Sequence, residues 1–179
     1  MKPKKVSLSG KEKSIQDVWK WYECQLKLSN QYKRQILLEI QNTQEPSDIT
    51  FFGMTREEIE EFFYELDYLT MLNLLASAEA AIQIDFLDRV EKRRKDSISK
   101  HFYRVYQQSR GKVYRVPEIL DIWKDFDSST KSKISDFNGA LNLRHWLAHG
   151  RYWTPKLGKD YSPDDVYDIA YRLLEEILR

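Results

Sequence analysis

The chain has 179 residues, with 29 Lys and Arg against 28 Asp and Glu, a formal net charge of +1, and 41% hydrophobic and 32% charged residues, the balance of one soluble globular domain. Six glycines and five prolines are about half the usual share, which excludes collagen-like and low-complexity chains and disfavours turn-rich all-β folds. A single cysteine, Cys24, excludes an internal disulfide and a cysteine-built zinc site, and no apolar run approaches the ~18 to 20 residues of a membrane span, so a cytoplasmic protein is the expectation.

Residues 1–13 hold five lysines against Glu12 without periodicity and read as a basic flexible tail. The rest, 14–179, reads as one all-α domain, an antiparallel bundle of about five to six helices. Ile15, Val18, Trp19, Tyr22, Leu26, Ile36, Leu37 and Ile40 recur at spacings of three and four. Ser14 and Asp17 form a capping box ahead of them, and Glu45-Pro46-Ser47-Asp48 ends this first helix near 44. After a Phe51-Phe52-Gly53 connection, Thr55 and Glu58 cap a second helix. Its stripe Ile59, Phe62/Phe63, Leu66, Leu69, Leu72, Leu75/Ala76, Ile82, Phe86 and Val90 runs on without Gly or Pro. Asp96-Ser97 breaks it, and Ile98, Phe102, Val105 and Tyr106 carry a third helix to Gly111. Pro117 opens a short helix to about 126, 131–149 forms the next with Gly150 as its stop, and Ser162-Pro163-Asp164-Asp165 launches a last helix to about 178.

Charge is segregated along the chain. Between 55 and 88 stand nine acids (Glu57, Glu58, Glu60, Glu61, Glu65, Asp67, Glu79, Asp85, Asp88) against Arg56 alone. Between 89 and 115 stand ten bases (Arg89, Lys92, Arg93, Arg94, Lys95, Lys100, Arg104, Arg110, Lys112, Arg115) against Glu91 and Asp96, a local net of +8. Two readings of this stretch stand side by side: an ordinary solvated face, and a phosphate-contacting surface on which Tyr103, Tyr106 and Tyr114 stack unpaired bases.

Chemistry concentrates in Leu141-Asn142-Leu143-Arg144-His145-Trp146-Leu147-Ala148-His149-Gly150-Arg151-Tyr152-Trp153, which holds two of the three histidines. Arg144, His145, His149 and Arg151 bring four groups that bind anions or move protons into eight residues. On an ideal helix Arg144 and His149 stand about 140° apart, so a shared cleft needs the reach of the arginine or a second chain.

Arg144-x4-His149, late in an all-helical domain of this size, resembles the R-x4-6-H motif of the HEPN superfamily, whose members include metal-independent ribonucleases of bacterial toxin and defence systems. The wider Asn-Leu-Arg-His-Trp-Leu-Ala-His-Gly-Arg-Tyr-Trp context, with Ala78-Glu79-Ala80, Asp85-Phe86 and Arg89 on the long helix, is similar to the branch that includes the RiboL-PSP-HEPN group. The likeness spans 55–179 in organisation and is sharp over 141–153 and, less so, over 75–89. It implies Arg144 and His149 as the catalytic pair, a homodimer whose two motifs face one cleft, RNA as substrate, a possible cognate antitoxin, and no cofactor or metal. Asn142, His145, Arg151 and Tyr152 fill supporting positions. Many HEPN sequences carry Asn directly after the arginine, where this one has His145, which either takes over a polar supporting role or merely fills space. Some toxins carry a tyrosine two residues after the histidine, a target of adenylylation, where this one has Arg151 with Tyr152 one further on, which speaks against that control.

The implied reaction is attack of the RNA 2′-hydroxyl on the adjacent phosphate, with His149 as base or acid and Arg144 stabilising charge on the non-bridging oxygens. The planar guanidinium suits phosphate because its fork makes two parallel hydrogen bonds and stays charged. Glu79 falls on the apolar stripe, where a carboxylate is costly unless paired. It reads either as a structural ion pair with an arginine of a neighbouring helix or as the group that orients Arg144 or His149. Asp85 and Arg89, four apart, read as a local surface pair. Arg89, Lys92, Arg93, Arg94 and Lys95 are the expected RNA contacts at the rim of the cleft. Zinc shared by His145 and His149 is disfavoured for want of further ligands. Two rivals to the nuclease remain: a non-catalytic HEPN module that binds nucleotide, RNA or a partner protein, and a helical adaptor whose motif is coincidental.

Overall fold

The second helix is the axis around which the others assemble. A computed structural model describes residues 8–42, 56–109 and 115–178, which form α1 (Ile15–Asn42), α2 (Arg56–Glu91), α3 (Ser97–Gln108), α4 (Val116–Phe126), a 3₁₀ turn (Ser128–Thr130), α5 (Lys131–Ala148) and α6 (Pro163–Ile177). Among the described residues there is no strand, and α2 packs against each of the other five helices, so the chain is an all-α helical bundle. The expected stop at 45–48, the 51–53 connection, the Thr55 cap, residues 1–7, Arg110, Gly111, Lys112 and Tyr114 lie outside the described residues.

Helix boundaries follow local chemistry. Ser14 N–H donates to Asp17 Oδ2 (3.2 Å) while Asp17 N–H donates to Ser14 Oγ (3.0 Å), the reciprocal box that satisfies two orphan donors of α1. Ser162 and Asp165 repeat it at the head of α6 (3.0 and 3.2 Å), with Pro163 in the first turn. Asp96 accepts from Ser99 N–H (2.9 Å) to start α3.

Because α2 is covered on several sides, its interior is wider than one stripe: Leu66, Thr70, Met71, Leu74, Leu75, Ala78, Ile82, Phe86 and Val90 are all buried. Thr70 is tolerated inside since its hydroxyl donates to the Leu66 carbonyl (2.8 Å), and Leu69, expected in the core, faces solvent instead. Toward the C-terminal end, Phe86 meets Phe102 edge-on at 5.0 Å and Tyr106 at 6.2 Å, and Phe102 meets Trp123 at 6.0 Å. Tyr106 is therefore a core residue, 2% exposed, and is withdrawn from the tyrosines expected to stack on bases.

Candidate functional site on the last turns of α5

The end of α5 is fixed by a Schellman motif. His149 is the C-cap, Gly150 follows at φ 80° and donates to the Leu147 carbonyl (3.4 Å), and Arg151 at φ 58° donates to the Trp146 carbonyl (3.2 Å). Two successive left-handed residues turn the chain sharply away, and glycine takes the first at no steric cost. Trp146 Nε1 then donates to the Trp153 carbonyl (2.7 Å), tying the departing segment back to the helix.

At 100° per residue, Asn142, His145 and His149 share one face, and all three are exposed. The two imidazoles lie 4.4 Å apart between ring centroids, with Trp153 5.7 Å from His145. Tyr152 beside them is 84% exposed.

Arg144 turns to the other side. Its Nε lies 2.9 Å from Glu79 Oε2 of α2, buried, with its N–H off the axis to the carboxylate, so the contact is an ion pair rather than an aligned hydrogen bond. Both readings of Glu79 thus meet in one contact, since the arginine it pairs with is Arg144. Burial pushes the Glu79 carboxyl above its ordinary range, and Arg144 pulls against that without cancelling it. The guanidinium lines a pocket of about 430 Å³ with Glu79, Gln83, Arg115 and Pro117. A second pocket, of about 410 Å³, is walled by Tyr64, Tyr68, Trp146 and Tyr161 with Asp67 and Asp160.

Within one chain, no ion pair, hydrogen bond or ring contact joins Arg144 to His149 among the described residues; the two stand about 140° apart around α5 and roughly 7.5 Å along it. Arg151, expected beside the pair, is drawn to α2, where Nη1 meets Glu65 Oε1 at 2.5 Å and the guanidinium covers the Tyr68 ring at 5.2 Å.

The basic stretch is far less free than its composition suggests. Arg89 is 3% exposed: Nε meets Asp85 at 2.6 Å, Nη2 donates to the Ile177 carbonyl at 3.2 Å, and the guanidinium lies 5.5 Å from the Trp123 centroid. The Asp85–Arg89 pair is made as expected but is internal rather than superficial, which removes Arg89 from the cations open to RNA. Lys92 pairs with Asp88 (2.6 Å), Arg94 with Asp88 and Asp85, and Arg93 lies over Tyr103 at 5.2 Å; these three are matched locally but stay exposed, as does Lys95. These residues follow the C-terminal end of α2, about 20 Å along its axis from Glu79. Arg115 is the residue that sequence spacing places only in the basic stretch and the fold places beside Arg144; the packing of α4 on α2 that brings it there leaves no local signal.

Among the described residues no cluster of three or more His, Cys, Asp or Glu is arranged to hold a metal, and no helix is long and apolar enough to cross a membrane. In comparisons with known proteins, no family model, no curated protein and no solved structure matches the chain.

Proposed function

We propose that the chain is a metal-independent RNA endonuclease of the HEPN class, a bacterial toxin or antiphage effector acting in the cytoplasm as a homodimer, with a cognate antitoxin as its protein partner. The observation that carries this reading is the division of labour at the end of α5: Glu79 anchors Arg144 at its inner nitrogen and leaves the outer fork to a pocket, while His149 stands exposed with His145 at its side. Arg144 binds the non-bridging oxygens of the scissile phosphate, whose charge grows as the pentacoordinate state forms. A neutral imidazole takes the proton from the 2′-oxygen as it bonds to phosphorus. The bond to the 5′-oxygen breaks, and a protonated imidazole supplies that oxygen with its proton. The products are a 2′,3′-cyclic phosphate and a 5′-hydroxyl. Two His149 rings facing one dimer cleft supply both imidazoles and bring one chain's histidine to the other chain's arginine. DNA, which lacks the 2′-hydroxyl, is not cut.

The test is cleavage of RNA in EDTA with product ends mapped. Wild type yields cyclic phosphate ends, and His149→Ala and Arg144→Ala lose the activity; a His149→Ala enzyme as active as wild type refutes the assignment. One observation favours a second reading, a binding module without turnover: in a single chain Arg144 and His149 face different sides of α5. RNA binding without cleavage, lost in Arg144→Ala and kept in His149→Ala, distinguishes it.

A further inference from the structure

We infer that the pocket between α2, α4 and α5 is a phosphodiester subsite in which Arg115 and Arg144 together hold a phosphate of the RNA strand next to the one that reacts. The identity of the ligand as RNA rests on the proposed function; the anion-binding geometry does not.

Two arginines from separate helices line this pocket, one at the N-cap of α4 and one near the end of α5. Glu79 engages Arg144 at Nε, the inner edge of the guanidinium, and no other ion pair or hydrogen bond of Arg144 exists among the described residues. Nη1 and Nη2 are thereby left as a fork, the arrangement that meets two phosphate oxygens in parallel. Arg115 has an 85% exposed side chain whose partner is Glu118, three residues on, at 3.1 Å. An exposed pair of this kind contributes little, so a phosphate can take the guanidinium over at small cost. The lining residues carry +2 from the arginines against −1 from Glu79, and Glu118 just outside the lining balances Arg115, so the net of +1 that one phosphodiester neutralises is presented once the phosphate displaces Glu118 from Arg115. Val116, Pro117, Ala76 and Ala80 supply apolar wall against which a sugar or base can rest. Arg144 lies about 100° around α5 from His145, so a strand crossing from the histidine face over the edge of the helix enters this pocket next.

The experiment measures binding of the full chain to a short 2′-O-methyl RNA oligonucleotide, which cannot undergo the transesterification, across salt from about 50 to 200 mM. Arg115→Gln is expected to reduce the slope of log affinity against log salt by about 0.7, the share of one single-strand phosphate. Over that fourfold range wild type then loses about 2.6-fold more affinity than Arg115→Gln, since 4 raised to 0.7 is about 2.6. Arg115→Lys keeps the slope, and Glu118→Gln, which frees Arg115, tightens binding. A slope unchanged in Arg115→Gln, or lost equally in Arg115→Lys, overturns the subsite. AMP and inorganic phosphate, each titrated alone, test the source of the phosphate. Both are expected to bind far more weakly than the oligonucleotide, and equal affinity for AMP overturns the assignment to a strand. The two levels separate cleanly: an Arg115-dependent slope in a protein that cuts no RNA keeps the subsite and ends the nuclease reading, and cleavage with an Arg115-independent slope does the reverse.

Discussion

Replacing Arg89 by methionine keeps much of the side-chain volume and removes a buried charge that three helices share. Its guanidinium holds Asp85 of α2 at 2.6 Å, Asp96 at the N-cap of α3 at 3.5 Å and the Ile177 carbonyl at the end of α6 at 3.2 Å. Removing one partner of a buried pair costs about 3 to 5 kcal/mol because the other charge is left uncompensated. Asp85 is 13% exposed and keeps Arg94 at 4.0 Å, which places the loss toward the lower end, about 3 kcal/mol. For a chain of this length that lowers Tm by about 10 °C, at roughly 3 °C per kcal/mol. Acid dependence gives a second signature. Burial already holds the Asp85 carboxyl above its usual range, with Arg89 and Arg94 pulling it down. Between the unfolded and folded values the folded chain binds more protons, so stability falls as pH rises through that interval. Loss of Arg89 raises the folded value further, so the deficit is complete at neutral pH and shrinks toward about pH 4. Urea denaturation at both pH values, followed by helical circular dichroism, measures it. Asp85→Asn combined with Arg89→Met removes the orphaned charge and recovers a large part of the loss. A single variant within about 0.5 kcal/mol of wild type, or a double variant no better than the single, refutes the buried staple; a residue whose role is RNA contact instead leaves stability intact and weakens binding.

Glu79→Gln keeps stability within about 0.5 kcal/mol of wild type at neutral pH, because loss of a partly buried ion pair is offset by relief of the desolvated Glu79 charge that burial already disfavours. Arg144→Gln leaves that carboxylate without its cation and costs more, about 1 to 2 kcal/mol, so the reverse order in paired urea titrations removes the argument. Gly150→Ala lowers stability by about 1 kcal/mol through its left-handed backbone alone, since nothing lies within 4 Å of the added methyl. An unchanged melting temperature for Gly150→Ala shows that the turn after α5 accepts another conformation.

How much was legible in the sequence depended on how local the cause is. The boxes Ser14/Asp17 and Ser162/Asp165 and the stop at Gly150 are readable because each is settled within three or four residues. Leu75, Ile82, Phe86 and Val90 are readable as core because their spacing repeats with the helix. The ion pair of Glu79 is readable as a need, since a carboxylate on an apolar stripe demands a cation, but its partner depends on where α5 crosses α2. Leu69 departs from expectation because Thr70 satisfies its own hydroxyl within the helix and takes the inward position. Arg89 and Tyr106 depart because the end of α6 and the aromatic pile on Phe86 enclose them, and both enclosures come from residues distant in sequence. Arg115 beside Arg144 has the same origin in the packing of α4 against α2.

These enclosures change what the near-zero charge means. The excess of bases between 89 and 115 faces the acids that end α2 and begin α3 and α4: Arg89, Lys92, Arg94 and Arg115 are each matched by Asp85, Asp88, Asp96 or Glu118, and Arg93 lies over an aromatic ring. Arg89 ties α2, α3 and α6 together, while Lys92, Arg94 and Arg115 are matched by carboxylates three to six residues away, so with Arg93 five of the ten bases already have a partner within the fold and do not add to an open field. On the proposed function, RNA affinity then comes from a few positioned guanidiniums around α5. Its salt dependence is shallow, at about 0.7 per phosphate, where a basic surface neutralising many phosphates gives a steep one. Binding of that kind is weak in the ground state and selective for the phosphate on which charge accumulates, which is the distribution of interaction energy that raises turnover rather than affinity.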